Sequence, residues 1–129
     1  MRFYKTRFAA RLAERAAIDD AALREAAERA EMGLIDAVLG RFLIKQRIAR
    51  TNRGRSGGFR TVLFFRENDK AVFLYLFAKN EKGNLTGREL EAYRELAGTI
   101  ATMRPSDVAT AVAHRTWIEI GHEEPEISK

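Results

Sequence analysis

FRTVLFFR (59–66) and AVFLYLFA (71–78) are separated only by Glu67-Asn68-Asp69-Lys70. Both runs are dominated by aromatic and aliphatic residues and contain no Gly or Pro, which suits strands of this length. A polar turn between two such runs makes an antiparallel hairpin. A turn centred on Asn68 and Asp69 sets Phe64 opposite Phe73, Val62 opposite Tyr75 and Arg60 opposite Phe77. Successive strand side chains point to opposite faces. Arg60, Val62, Phe64 and Arg66 therefore share a face with Phe73, Tyr75, Phe77 and Lys79. The other face, Phe59, Thr61, Leu63, Phe65, Val72, Leu74, Leu76 and Ala78, is nearly all apolar and is expected to pack on helices.

Upstream of the hairpin, LIKQRIAR (43–50) reads as a further strand, followed by the glycine-rich basic stretch TNRGRSGG (51–58). RFYKTR (2–7) suits a short first strand, and residues 8–17 a helix with Phe8, Leu12 and Ala16 at four-residue steps. Asp19 or Asp20 caps a second, Ala-rich helix ending near Met32–Gly33. Downstream, Thr86-Gly87-Arg88-Glu89 has the Thr-x-x-Glu form of a capping box. It opens a helix with Leu90, Tyr93, Ala97 and Ile100 on one face, which Pro105 closes. Ser106 is placed to cap a short helix over residues 107–113, and TWIEI (116–120) suits a last strand. The order is strand, two helices, a three-stranded antiparallel meander, then helical C-terminal material. This is an α+β domain over residues 1–122, with a loose polar tail at 123–129.

Composition narrows the chemistry. The 129 residues have the size of one domain, and 46% are hydrophobic, enough for one core. There is no cysteine, and the two histidines, His114 and His122, both lie near the C-terminus. Disulfides, thiolate metal sites and a Ser–His–Asp triad are set aside on that ground. Neither a signal-peptide-like segment nor a run of membrane-spanning length is seen, which predicts a cytoplasmic protein without membrane contact.

The net charge is +5, and it is concentrated. Residues 41–60 hold seven of the 23 basic residues, Arg41, Lys45, Arg47, Arg50, Arg53, Arg55 and Arg60, and none of the 18 acidic ones. The remaining 16 basic and 18 acidic groups leave the rest near neutral. A basic stripe on a near-neutral domain marks a polyanion site. Lys45, Arg47, Arg50, Arg53 and Arg55 are read as RNA- or ribosome-binding residues. On the hairpin's first face, aromatic rings border Arg60 and Lys79, an arrangement suited to single-stranded RNA, with bases on rings and phosphates on cations. Phe64 and Phe73 are read as core beneath the C-terminal helix. For Tyr75 and Phe77, nearer the cations, base stacking stands beside core packing.

Two motifs carry a family resemblance: GRSGGFRTVLFF (54–65) and, about 20 residues on, FAKNEKGNL (77–85), followed by the capped helix. The stretches 18–37 and 43–50 belong to the same pattern. Over about residues 1–103 the chain resembles the RelE superfamily, specifically its HigB-like branch. The resemblance implies a RelE-like fold, with an N-terminal strand and two helices packed on a small antiparallel sheet and a C-terminal helix. It implies a toxin that is a ribosome-dependent endoribonuclease, an mRNA interferase that inhibits translation. It also implies a cognate helix-turn-helix antitoxin, with operator DNA reached only through the antitoxin complex, and no cofactor or metal. Arg60 stands at the family's phosphate-contacting Arg. Lys79 and Lys82 stand at its two lysine positions. Asn80 replaces an Arg found in some relatives, and Thr86 stands where others place a catalytic Tyr. With no histidine in reach, the expectation is that neighbouring cations lower the pKa of Lys79 or Lys82 enough for acid–base work. Glu81, between them, either orients them, acts as base, or pairs with Arg88 or a loop arginine. The same fold in a ParE-type gyrase poison, or a decayed non-catalytic toxin acting as corepressor, would need no reacting set of this kind.

Overall fold

Residues 1–49 and 58–121 are described by the computed structural model. Arg50, Arg53 and Arg55 of the basic loop, and the tail at 123–129, lie outside the described residues. The elements are β1 (Arg2–Thr6), α1 (Arg7–Ala16), α2 (Asp20–Glu31), β2 (Ala37–Gly40), β3 (Leu43–Ile48), β4 (Phe59–Arg66), β5 (Lys70–Ala78), α3 (Gly87–Ala101), α4 (Pro105–Ala113) and β6 (Trp117–Ile120).

Local chemistry sets the helix ends. Thr6 ends β1 and accepts a hydrogen bond from the Ala9 amide at 3.0 Å, so the chain passes from strand to helix without a loop. Asp19 accepts from Ala22 to cap α2. Thr86 and Glu89 form the reciprocal capping box of α3, at 3.1 and 2.8 Å. Pro105 differs from its expected part. α3 has already ended at Ala101, and Pro105 is the first residue of α4, where its missing N–H costs nothing. Asp107 bonds back to the Arg104 amide at 2.8 Å, so the Ser106 side chain is not the cap.

The strands form one six-stranded sheet in the order β2-β3-β4-β5-β1-β6. All neighbours are antiparallel except β1 and β5, which run parallel. Five of these strands answer to the expected first strand, meander and last strand, and β2 is the addition. β2, four residues at an edge, was not foreseen, because AVLG is too short to show a period.

The hairpin register holds at one end and fails at the other. Phe59–Ala78, Arg60–Phe77, Thr61–Leu76 and Val62–Tyr75 pair as expected. Beyond a β-bulge the pairs become Leu63–Phe73 and Phe64–Val72. The turn has three residues, Glu67 to Asp69, with Asn68 in the left-handed region at φ 63°, and the extra residue, Leu74, is absorbed in the bulge. Phe73 consequently moves to the opposite face from the one expected, while Val72 and Leu74 change places with it.

Both faces are buried. Against α1 and α2 lie Phe3, Ile44, Ile48, Leu63, Phe65, Phe73, Leu76 and Ile120, with Leu23 and Ala27 of α2. Against α3 and α4 lie Tyr4, Leu43, Val62, Phe64, Val72, Leu74, Phe77 and Trp117, with Ala97 and Ile100 of α3. The sheet is therefore a central layer. A single buried amide ties β3 to the first helical layer: Gln46 donates to Ala26 O and Leu34 O and accepts from the Asp36 amide at 2.7 Å. Each of these would otherwise be an unsatisfied polar group.

Candidate functional site

The α3 side of the sheet carries the cations at the end where β3, β4 and β5 run past the helix start. Two cross-strand rows define it. Arg47, Arg60 and Phe77 form one; Lys45, Val62 and Tyr75 form the next. Directly opposed like charges in a sheet are destabilising, so the Arg47–Arg60 pair stands against local stability. Arg60 is half-buried, Arg47 exposed, and neither side chain has a carboxylate partner among the described residues. Arg60 thus carries a half-buried charge that no described carboxylate balances.

Lys79 and Lys82 come to the same end by a tight turn. The Lys79 amide donates to Gly58 O at 2.9 Å, and the amides of Glu81 and Lys82 both donate to Ala78 O at 3.0 Å. Lys79 and Glu81 are exposed. Neither Arg88 nor any other described residue forms an ion pair with Glu81. Lys82 reaches across to Glu89 of the α3 capping box, at 3.0 Å. Lys45 donates to Asn84 Oδ1 at 3.1 Å.

These contacts correct the expected electrostatics of Lys82. Its hydrogen bond to Glu89 raises its pKa, outweighing partial burial, so it stays a cation rather than a lysine poised near neutrality. Glu89 lies below the ordinary carboxyl value, first because the Thr86 amide donates to it and then because Lys82 does.

The aromatic row also departs from a stacking platform. Phe77 is only 6% exposed, in the core beneath α3, so its face is already covered by protein. Tyr75 is half-buried and flanked by Phe8 at 6.1 Å, Tyr93 at 5.5 Å and Phe77 at 5.6 Å between ring centroids. Tyr93 is held up to about 12 by burial and remains a neutral phenol. Phe64 and Trp117 are core residues. Tyr93, Asn84 and Phe8 join the site without having been singled out. Tyr93 reads from sequence as one of a helix's four apolar-face positions, and its nearness to Tyr75 follows only from how α3 crosses the sheet.

Over residues 1–120 the chain matches the family described as the RelE toxin of the RelE / RelB toxin–antitoxin system. The chain belongs to the RelE toxin family. No match is found among curated proteins. As a RelE-family toxin it is one half of a toxin–antitoxin pair, and an antitoxin is the partner that membership implies. Four helices on a mostly antiparallel sheet are the architecture expected of a RelE-like α+β domain. Among the described residues, no helix is long and apolar enough to cross a membrane.

The Lys82–Glu89–Thr86 cluster of this RelE-family toxin has a pH signature. A carboxyl with a depressed folded pKa contributes stability that is full above its unfolded value, near 4.5, and is lost as pH falls through the folded value. Glu89→Gln is therefore expected to unfold at lower urea than wild type at neutral pH. The difference should shrink as pH drops well below 4.5. Urea midpoints at the two pH values measure this, and a difference that persists in acid would refute it.

Proposed function

We propose that this RelE-family toxin is a ribosome-dependent mRNA endoribonuclease of the HigB-like branch, inhibiting translation in the cytoplasm. The observation that carries the reading is the Arg47–Arg60 cross-strand pair, a half-buried cation held beside a second one with no counter-ion from the described residues. An RNA phosphate would supply the missing charge. In the proposed reaction the ribose 2′-oxygen attacks the adjacent phosphorus and the bond to the 5′-oxygen breaks. The products carry a 2′,3′-cyclic phosphate and a 5′-hydroxyl. Arg60 stabilises the charge on the phosphorane, because its guanidinium stays charged and grips phosphate as a fork. Lys79 adds to that field. Glu81, an exposed carboxylate between the two lysines, takes the 2′-hydroxyl proton. Lys82, kept protonated by Glu89, gives a proton to the leaving 5′-oxygen. No metal enters this scheme. Lys45, Arg47, Arg50, Arg53 and Arg55 hold the RNA and the ribosome, with Tyr75 at the edge of that surface. A helix-turn-helix antitoxin silences the toxin, and operator DNA is met only through that complex.

Inducible expression without the antitoxin, followed by primer extension on a translated mRNA, tests the reading. Growth arrest with cuts inside codons is expected. Normal growth with intact mRNA would make the chain a non-catalytic binding partner. Arrest with intact mRNA and broken DNA would favour a gyrase poison.

A further inference from the structure

A second cationic feature lies at the other end of α3. A cleft of about 750 Å³ is lined by Arg41, Phe42, Arg66 and Arg94, floored by small residues, and has no acidic residue in its lining. Its construction is specific. Phe42, a bulky residue, adopts a left-handed φ of 59°, a conformation that costs of order 1 kcal/mol or more and persists only when its surroundings enforce it. Its ring carries the Arg41 guanidinium at 4.9 Å and that of Arg66 at 5.1 Å. Gly40 lets Arg94 lie flat across the β2–β3 connection, since a Cβ there would stand 3.2 Å from Arg94 Cγ. Arg94 Nε then donates to Leu39 O at 2.8 Å.

The three guanidinia are not equivalent. Arg66 is neutralised by Asp69 at 2.9 Å and also donates to Ala101 O. Arg41 and Arg94 have no carboxylate partner among the described residues. Two forked cations without counter-ions border one cleft.

We propose that this cleft is a second RNA-phosphate site, gripping the backbone away from the cleavage centre through Arg41 and Arg94. This rests on the reading that the toxin acts on RNA. An RNA backbone is favoured over an acidic protein segment by position. Arg66, in the cleft wall, and Arg60 lie on the same strand and on the same face, six residues and roughly 20 Å apart. Val62 and Phe64 between them are covered by α3, so a polyanion serving both would pass around that helix, a span open to a polymer and not to a single acidic side chain.

The test is the salt dependence of binding to a fluorescent single-stranded RNA carrying 2′-O-methyl riboses, which cannot be cut by 2′-hydroxyl attack. Each phosphate contact contributes about 0.7 to the slope of log K against log salt for single strands. Arg41→Ala/Arg94→Ala should make the slope shallower by about 1.4 and weaken binding at moderate salt. Arg11→Ala/Arg15→Ala, which removes the same charge from exposed positions on α1, should leave the slope unchanged. If the alanine pair fails to fold by circular dichroism, Arg41→Gln/Arg94→Gln replaces it with the stems retained. A wild-type slope in the cleft variant, or an equal drop in the α1 variant, would overturn the proposal. So would RNA binding that is unchanged while antitoxin binding is lost, which would assign the cleft to an acidic protein partner. Because this RNA is never cleaved, a toxin that binds it through the cleft but leaves translated mRNA intact would leave the cleft standing and remove the nuclease reading alone.

Discussion

Arg60→Ala is expected to slow cleavage of ribosome-bound mRNA by about 10²–10³-fold, the usual cost of removing one preorganised group that faces transition-state charge. Stability should move the other way. Arg60 faces Arg47 across β3 and β4, so the substitution relieves a like-charge pair, and the urea midpoint is expected to stay level or rise. Loss of activity in a protein at least as stable as wild type separates a catalytic group from a structural one. Arg60→Lys should recover only part of the rate, because an ammonium keeps the charge but not the fork. Single-turnover cleavage rates and urea unfolding on the three proteins decide the matter. A rate within a few-fold of wild type for Arg60→Ala would remove Arg60 from the mechanism.

Phe64→Ala should be among the most damaging single truncations for the fold, costing about 3–5 kcal/mol. The side chain is fully buried at the centre of the α3 face. Its ring packs 5.8 Å from that of Phe42 and lies beneath the Arg66 and Lys70 cations. Domains of this size hold roughly 5–15 kcal/mol in total, so such a loss would leave a substantial unfolded fraction under mild stress. Phe8→Ala, at a position 47% exposed, should cost far less. Equilibrium urea unfolding compares them, and a Phe64→Ala loss below about 1 kcal/mol would contradict the packing described.

Much of this architecture was legible because its signals are local. Asp19, Thr86 and the β4–β5 hairpin are each specified within a few residues of sequence. What escaped depends on partners distant in the chain or on one residue of register. The three-residue turn, with the bulge at Leu74, reversed the face of Phe73: a loop of two or of four residues centred on Asn68 and Asp69 keeps the symmetric register, and only packing on both faces selects the odd length. The Arg60–Phe77 pairing survived because the bulge lies between it and the turn. The charge state of Lys82 was misjudged for a related reason. The sequence places it three residues from Lys79 and near the basic loop, but its partner in space is Glu89, whose local spacing shows only a helix cap. The basic stripe was visible as a whole. Its division into Arg60 at one end of β4 and Arg41 beside Arg94 at the other required the sheet.

The position of β1 has a consequence for how the molecule comes into being. The first strand is an interior one, hydrogen-bonded to residues 70–73 on one side and 117–120 on the other. A nascent chain holding β1 through β4 has no neighbour for its own beginning, and β1 gains its second neighbour only with the last strand. Such pairings between remote residues slow folding, since chain closure precedes any stabilising contact. During synthesis β1 therefore waits on residues 70–73 and 117–120 before the sheet that carries Arg60 is whole.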